Sequence, residues 1–136
     1  MLAQYVVLES PLQLVADAPD AYRGQAGFDF IREVPVVWDE IKVLAARPDE
    51  AVAIARRNGA DWYIGAIGDS DGENLRLPLS FLGDGEYTMT TYRDAEDADI
   101  EPNNILIETA TVGKQDEIVV QMAPNGGFAG KLEFKY

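Results

Sequence analysis

Apolar and polar residues change their spacing near residue 35, and the change divides the chain. Ahead of it, Leu12, Val15 and Ala16 recur at helical spacing, and Pro11 suits the first turn of a helix. Pro19 limits how far that helix can run. Phe28, Ile31 and Val34 predict a second helical face that Pro35 ends. Past Pro35 the period becomes two. Val37, Asp39, Ile41 and Val43 alternate with Trp38, Glu40 and Lys42. Strand-like runs follow at 51–57 (AVAIARR), 61–68 (DWYIGAIG), 75–82 (LRLPLSFL), 86–94 (EYTMTTYRD), 105–112 (ILIETATV), 116–123 (DEIVVQMA) and 128–136 (FAGKLEFKY).

Turn chemistry separates these runs. Asn58-Gly59 predicts a hairpin, since both residues tolerate positive φ. Gly83-Asp84-Gly85 and Asn125-Gly126-Gly127 mark two more turns. Pro78 has no N–H for a ladder, so its strand belongs at an edge or carries a bulge. The pattern predicts a mainly β fold, an antiparallel β-sandwich of about seven or eight strands, preceded by a short helical or mixed segment. Parallel crossovers need helices between strands, and no helical pattern appears past residue 35.

Composition narrows the function classes. A chain of 136 residues, 47% hydrophobic, holds one domain with a real core. With 24 acidic against 11 basic residues its net charge is −13, a field that repels phosphate backbones and anionic lipid. Nucleic acid and bare membrane are therefore not expected partners, whereas a neutral sugar meets no such repulsion. Cysteine and histidine are both missing, which excludes disulfides, thiolate sites and imidazole chemistry. No run approaches the ~20 apolar residues of a membrane span. The opening MLAQYVVLESPLQLVAD lacks the basic start of a signal peptide, and its abrupt apolar beginning suits a piece of a larger precursor.

Three tracts carry a resemblance: ESPLQLVADAPDAY (9–22), FIREVPVVWDEIKVLAARPDEAVAIARRNGADWYIGAI (30–67) and LPLSFLGDGEYTMTTYRDAEDAD (77–99). In this order they resemble the carboxy-terminal region of glycoside hydrolase family 97, a family of α-glucosidases and α-galactosidases of Bacteroidetes. The resemblance implies a (β/α)8 barrel followed by a terminal β-sandwich. Residues 1–42 would resemble the last part of the barrel, with YVVLES as a penultimate strand and PVVWDEIKVL as the final one, and 43–136 the sandwich. It implies an accessory region that acts on oligosaccharides only as part of a periplasmic or extracellular parent and is inactive alone. The partner it implies is the catalytic barrel of the same chain. The catalytic glutamates and calcium ligands of the family would lie upstream, leaving no catalytic residue, metal or cofactor here. The loops GDSDGEN and DAEDAD depart from the family pattern.

Glycoside hydrolysis needs two carboxyl groups flanking one bond. Asp39 and Glu40 are neighbours, so on a strand they point to opposite faces. If the barrel resemblance holds, one of them would face the parent's pocket, with Glu9 and Ser10 at the end of the preceding strand. Their plainer role is to fix loop geometry, Ser10 as the N-cap ahead of Pro11. Asp69-Ser70-Asp71-Gly72-Glu73 lacks the spacing of a helical calcium loop and fits a polar turn. Asp94, Glu96, Asp97, Asp99 and Glu101 form an acidic tract of the solvated kind. Trp38, Trp62, Tyr63, Tyr87 and Tyr92 are candidates for a sugar-stacking surface, with Tyr63 and Tyr92 the expected exposed members. Substrate-binding candidates are thus Glu9, Ser10, Trp38, Asp39, Glu40, Tyr63 and Tyr92. Arg56-Arg57 suits ion pairing at a strand end. Alternatives to the accessory reading are a carbohydrate-binding module using exposed aromatics and a protein-interaction domain docking through its apolar amino-terminal segment.

Overall fold

The two-residue alternation becomes strand almost wherever it occurs. A computed structural model describes residues 2–95 and 104–136. Its strands are β1 (Glu40–Arg47), β2 (Ala51–Asn58), β3 (Asp61–Gly68), β4 (Glu73–Pro78), β5 (Tyr87–Asp94), β6 (Ile105–Val112), β7 (Glu117–Met122) and β8 (Gly127–Phe134). They form a six-stranded sheet in the order β1-β2-β3-β8-β5-β6 and a two-stranded sheet β4-β7, with antiparallel pairing throughout. The β2–β3 hairpin closes at the pair Asn58↔Asp61. Its turn residues are therefore Gly59 and Ala60, one position later than the Asn58-Gly59 expectation. Gly59 has φ 60°, as the first position of a type II′ turn requires. Pro78 ends β4, whose one ladder neighbour among the described residues is β7, so the missing N–H costs little.

Alternate residues build the core between the two sheets. Ala53 and Ala55 of β2, Trp62, Ile64 and Ala66 of β3, and Leu132 of β8 face Leu75, Leu77, Leu79, Val120 and Met122 across the gap. The small residues of β2 leave room for Trp62, whose ring meets Phe81 edge-on at 4.8 Å.

The opposite face of the large sheet is covered too. Helices α1 (Gln4–Val7) and α3 (Phe28–Glu33) lie on it, and α2 (Pro19–Tyr22) falls between them in the chain. Val6, Phe30 and Val34 pack there with Tyr63 and Ala129, and Trp38 and Tyr92 lie alongside. Gly65 of β3 makes the close approach of α1 possible. A Cβ at Gly65 would sit 2.8 Å from both the Ala3 carbonyl oxygen and Val6 Cβ. The chain thus has three layers: amino-terminal segment, six-stranded sheet and two-stranded sheet.

The amino-terminal expectations need correction. No helix forms across residues 11–18, and Leu12 and Val15 lie exposed there. Part of the YVVLES tract, expected as strand, is helix α1. The α3 helix appears as predicted, but Phe30 and Val34 form its buried face instead of Phe28 and Ile31. PVVWDEIKVL, expected as a barrel strand, instead leads into β1 at Glu40 and pairs with β2 at the edge of the sandwich sheet.

Candidate functional site

The residues selected from sequence fall into three groups. Ser10 Oγ donates to the Leu12 carbonyl at 2.6 Å and accepts from the Leu12 N–H at 3.3 Å. It closes a local turn and caps no helix, because none follows. Glu9 beside it is exposed. Asp39 and Glu40 serve the β2–β3 hairpin. Asp39 Oδ2 accepts the Gly59 N–H at 2.7 Å. Glu40 pairs with Lys42 at 2.8 Å and with Arg57 at 3.2 Å. Hydrogen bonds from Lys42 and then Arg57 hold the Glu40 carboxyl below its ordinary range. A carboxylate held in this way does not donate the proton that glycoside cleavage needs.

The aromatic candidates form a packed cluster and no open platform. Tyr63, expected at the surface, is 4% exposed. Phe30 meets Tyr63 at 6.1 Å and Tyr92 at 5.1 Å, and Trp38 meets Tyr63 at 5.4 Å, all edge-on. Burial pushes the phenols of Tyr63 and Tyr92 upward in pKa. Lys131 pins this layer, reaching Glu33 of α3 at 2.6 Å and Glu133 at 3.0 Å. Partial burial works against its charge, but these carboxylates outweigh that and hold the ammonium firmly protonated.

Of the paired arginines, Arg57 behaves as expected, meeting Glu40 and lying 3.7 Å from Asp39. Arg56 does not. It is 3% exposed, donates through Nη2 to the Val7 carbonyl at 3.2 Å and stacks 5.9 Å above the Trp38 ring. Its place beside Val52 and Ile54 on one strand face was the available signal, but the burial depends on α1, which local sequence does not announce.

The polar loop after β3 is a turn, as expected: Asp69 Oδ1 accepts the Asp71 N–H at 2.9 Å. Asp94 Oδ2 accepts the Gly127 N–H at 3.1 Å, whereas Glu96, Asp97, Asp99 and Glu101 lie outside the described residues. Among the described residues no group of three or more acidic, histidine or cysteine side chains could hold a metal ion. No described helix is long and apolar enough to cross a membrane.

Val37, Ile41 and Val43 are exposed at and just ahead of β1, and two further apolar features stand out. One is the amino-terminal ridge, where Leu8, Leu12 and Leu14 are 57%, 72% and 78% exposed around a groove that Leu2 and Tyr5 also line. The other is strand β6, with Leu106 and Ile107 exposed. A sandwich in which the candidate carboxylates Asp39 and Glu40 hold a hairpin together, and whose apolar side chains are displayed in patches, defines an accessory module built for contact.

The comparisons agree. The family model described as glycosyl-hydrolase 97 C-terminal, oligomerisation, matches residues 37–133. The chain belongs to this C-terminal family of glycoside hydrolase 97. It is 38% identical over 133 residues to a retaining alpha-galactosidase of Bacteroides thetaiotaomicron, which covers 97% of this chain and 20% of that protein. It is 30% identical over 125 residues to a probable retaining alpha-galactosidase of Streptomyces bingchenggensis, covering 91% of this chain and 19% of the relative. A family 97 enzyme from Pseudoalteromonas sp. strain K8, solved with acarbose, superposes with a TM-score of 0.93 at 32% identity, covering 99% of this chain and 22% of that one. The chain thus spans about a fifth of the curated relatives it matches.

Proposed function

We propose that this chain is the closing region of a retaining α-galactosidase or a related α-glucosidase, and that it docks on the catalytic barrel of the same polypeptide through its amino-terminal ridge. The docking layer is the segment ahead of β1, corresponding to the expected 1–42 region. The observation that carries this reading is Leu12 and Leu14, 72% and 78% exposed on a stretch with no regular secondary structure. Burying one such side chain fully contributes about 1.5–3 kcal/mol. A structureless tract that displays two large leucines gains that contribution only against another surface. Oligosaccharide, calcium and catalytic carboxylates belong, on this reading, to the parent's other regions, and the parent to the periplasm or extracellular space. A stacking role for Tyr63 and Tyr92 finds no support, since α3 covers them.

The test compares L12D/L14D in the isolated chain and in the full-length hydrolase. Thermal unfolding of the isolated chain should be unchanged, because neither leucine is buried in it. The full-length enzyme should lose thermal stability or soluble yield. Equal behaviour of the substituted and parental full-length enzymes would remove the proposal.

A further inference from the structure

The six-stranded sheet has two edges, and they are built differently. Edge strand β1 carries Glu40, Lys42 and Arg47 among its eight residues and breaks register between Val43 and Ala45. Arg47 also reaches across to Glu73 of the other sheet at 3.4 Å. Charges, a bulge and a cross-sheet tie are how natural proteins guard an edge against pairing with another chain. Edge strand β6 has no bulge and, among the described residues, no ion pair to the other sheet. It runs eight residues, ILIETATV, in unbroken register with β5. Its one charge, Glu108, is paired with Arg93 on the sheet face at 3.1 Å. The strand also extends past the shelter of the small sheet: Leu106, Glu108 and Ala110 on its inner side are exposed, and only Val112 reaches the core.

The ladder shows which backbone groups point away. The Ala95 N–H donates to the Asn104 carbonyl, in step with the β5–β6 register, and Thr91 Oγ1 approaches the Glu108 carbonyl. The even-numbered residues of β6 therefore bond to β5. On the far side of β5, the Lys135 N–H donates to the Glu86 carbonyl, so the even residues of β5 serve β8 and its odd ones serve β6. Ile105, Ile107, Thr109 and Thr111 thus turn their N–H and C=O groups outward, and among the described residues no strand meets them.

We propose that β6 is the seat of self-association, pairing antiparallel with β6 of a second copy about a twofold axis through Thr109. This rests on the family's description as an oligomerisation domain, whose match to residues 37–133 includes β6. A twofold perpendicular to the sheet keeps faces matched, so a residue pairs only with one of its own parity. Centring on Thr109 sets Ile107 against Thr111, Leu106 against Val112 and Glu108 against Ala110, and forms about six backbone hydrogen bonds. Centring on Glu108 would set like charges opposite each other. A twelve-stranded sheet results from two six-stranded ones.

Sedimentation equilibrium on the chain and on Thr109→Lys and Thr109→Glu tests this. Circular dichroism melts confirm that the exposed substitutions leave the fold intact. The expected result is a wild-type dimer, about fivefold weaker affinity for each variant alone, and recovery when the two variants are mixed, because opposite charges then face each other across the axis. Wild-type dimers that both variants form equally well would overturn the β6 assignment while leaving self-association standing. A wild type that stays monomeric to about 1 mM would overturn both. A positive mixing experiment cannot arise from misfolding, which complementary charge does not repair.

Discussion

Phe30→Ala probes whether the amino-terminal layer is part of one cooperative unit. Phe30 is 1% exposed and fills the space between α3 and the large sheet, in edge contact with Tyr63 and Tyr92. Removing a buried phenylalanine ring costs about 3–5 kcal/mol, because transfer and cavity contributions add. At this chain length each kcal/mol lowers the melting temperature by about 3–4 °C, so the variant should melt about 10–20 °C lower. Calorimetry should show one transition in both proteins, since Lys131 ties α3 to β8 and Arg56 ties β2 to the Val7 carbonyl. The reasoning would fail if the main transition stayed put while protease released the first 36 residues or so from the variant. That outcome would mean the segment is an independently detachable flap.

Three further outcomes follow. Gly65→Ala should dislodge α1, because its new methyl would meet the Ala3 carbonyl oxygen and Val6 Cβ at 2.8 Å; increased amide exchange confined to residues 3–8 would show this, and unchanged exchange there would contradict it. Acid should selectively weaken two surface ion pairs. The Glu40 carboxyl is held below its ordinary 4.5 by Lys42 and Arg57, and that of Asp84 below its ordinary 3.8 by Lys114. A lowered folded pKa contributes stability above the unfolded value and loses it as pH falls through the folded one. The urea midpoint gap between wild type and the Glu40→Gln, Asp84→Asn variant should therefore close below about pH 4; a gap constant from pH 7 to 3 would refute the pairing. Finally, the purified chain should not turn over aryl α-galactosides or α-glucosides, and measurable turnover would refute its accessory role.

The sandwich was legible because alternation is a local property. Asp61–Gly68 and Ile105–Val112 coincide with the strand-like runs, and Leu75, Leu77 and Leu79 share the buried face that their spacing implies. The amino-terminal layer was less legible for two physical reasons. Helix α1 spans four residues, about one turn, too short for a 3.6-residue period to register. Leu12 and Val15 are apolar without being buried in this chain, so their spacing mimicked an amphipathic helix that does not form. Tyr63 illustrates the same limit. A strand exposed on one face hides alternate residues, but β3 is covered on both, and Trp62 and Tyr63 are buried as neighbours. What covers the second face is far away in sequence. Asp39 was legible as a residue that fixes loop geometry, whereas the ion pairs of Glu40 and the unguarded state of β6 emerged only with the sheet order.

Hydrogen exchange across residues 11–16 bears most directly on the accessory role, measured in the isolated chain and in the full-length hydrolase. The ridge around Leu14 should exchange at near-unprotected rates alone and at least tenfold more slowly in the intact enzyme. Identical rates in both would mean that the barrel never covers it, and the chain's place in the enzyme would have to be sought elsewhere.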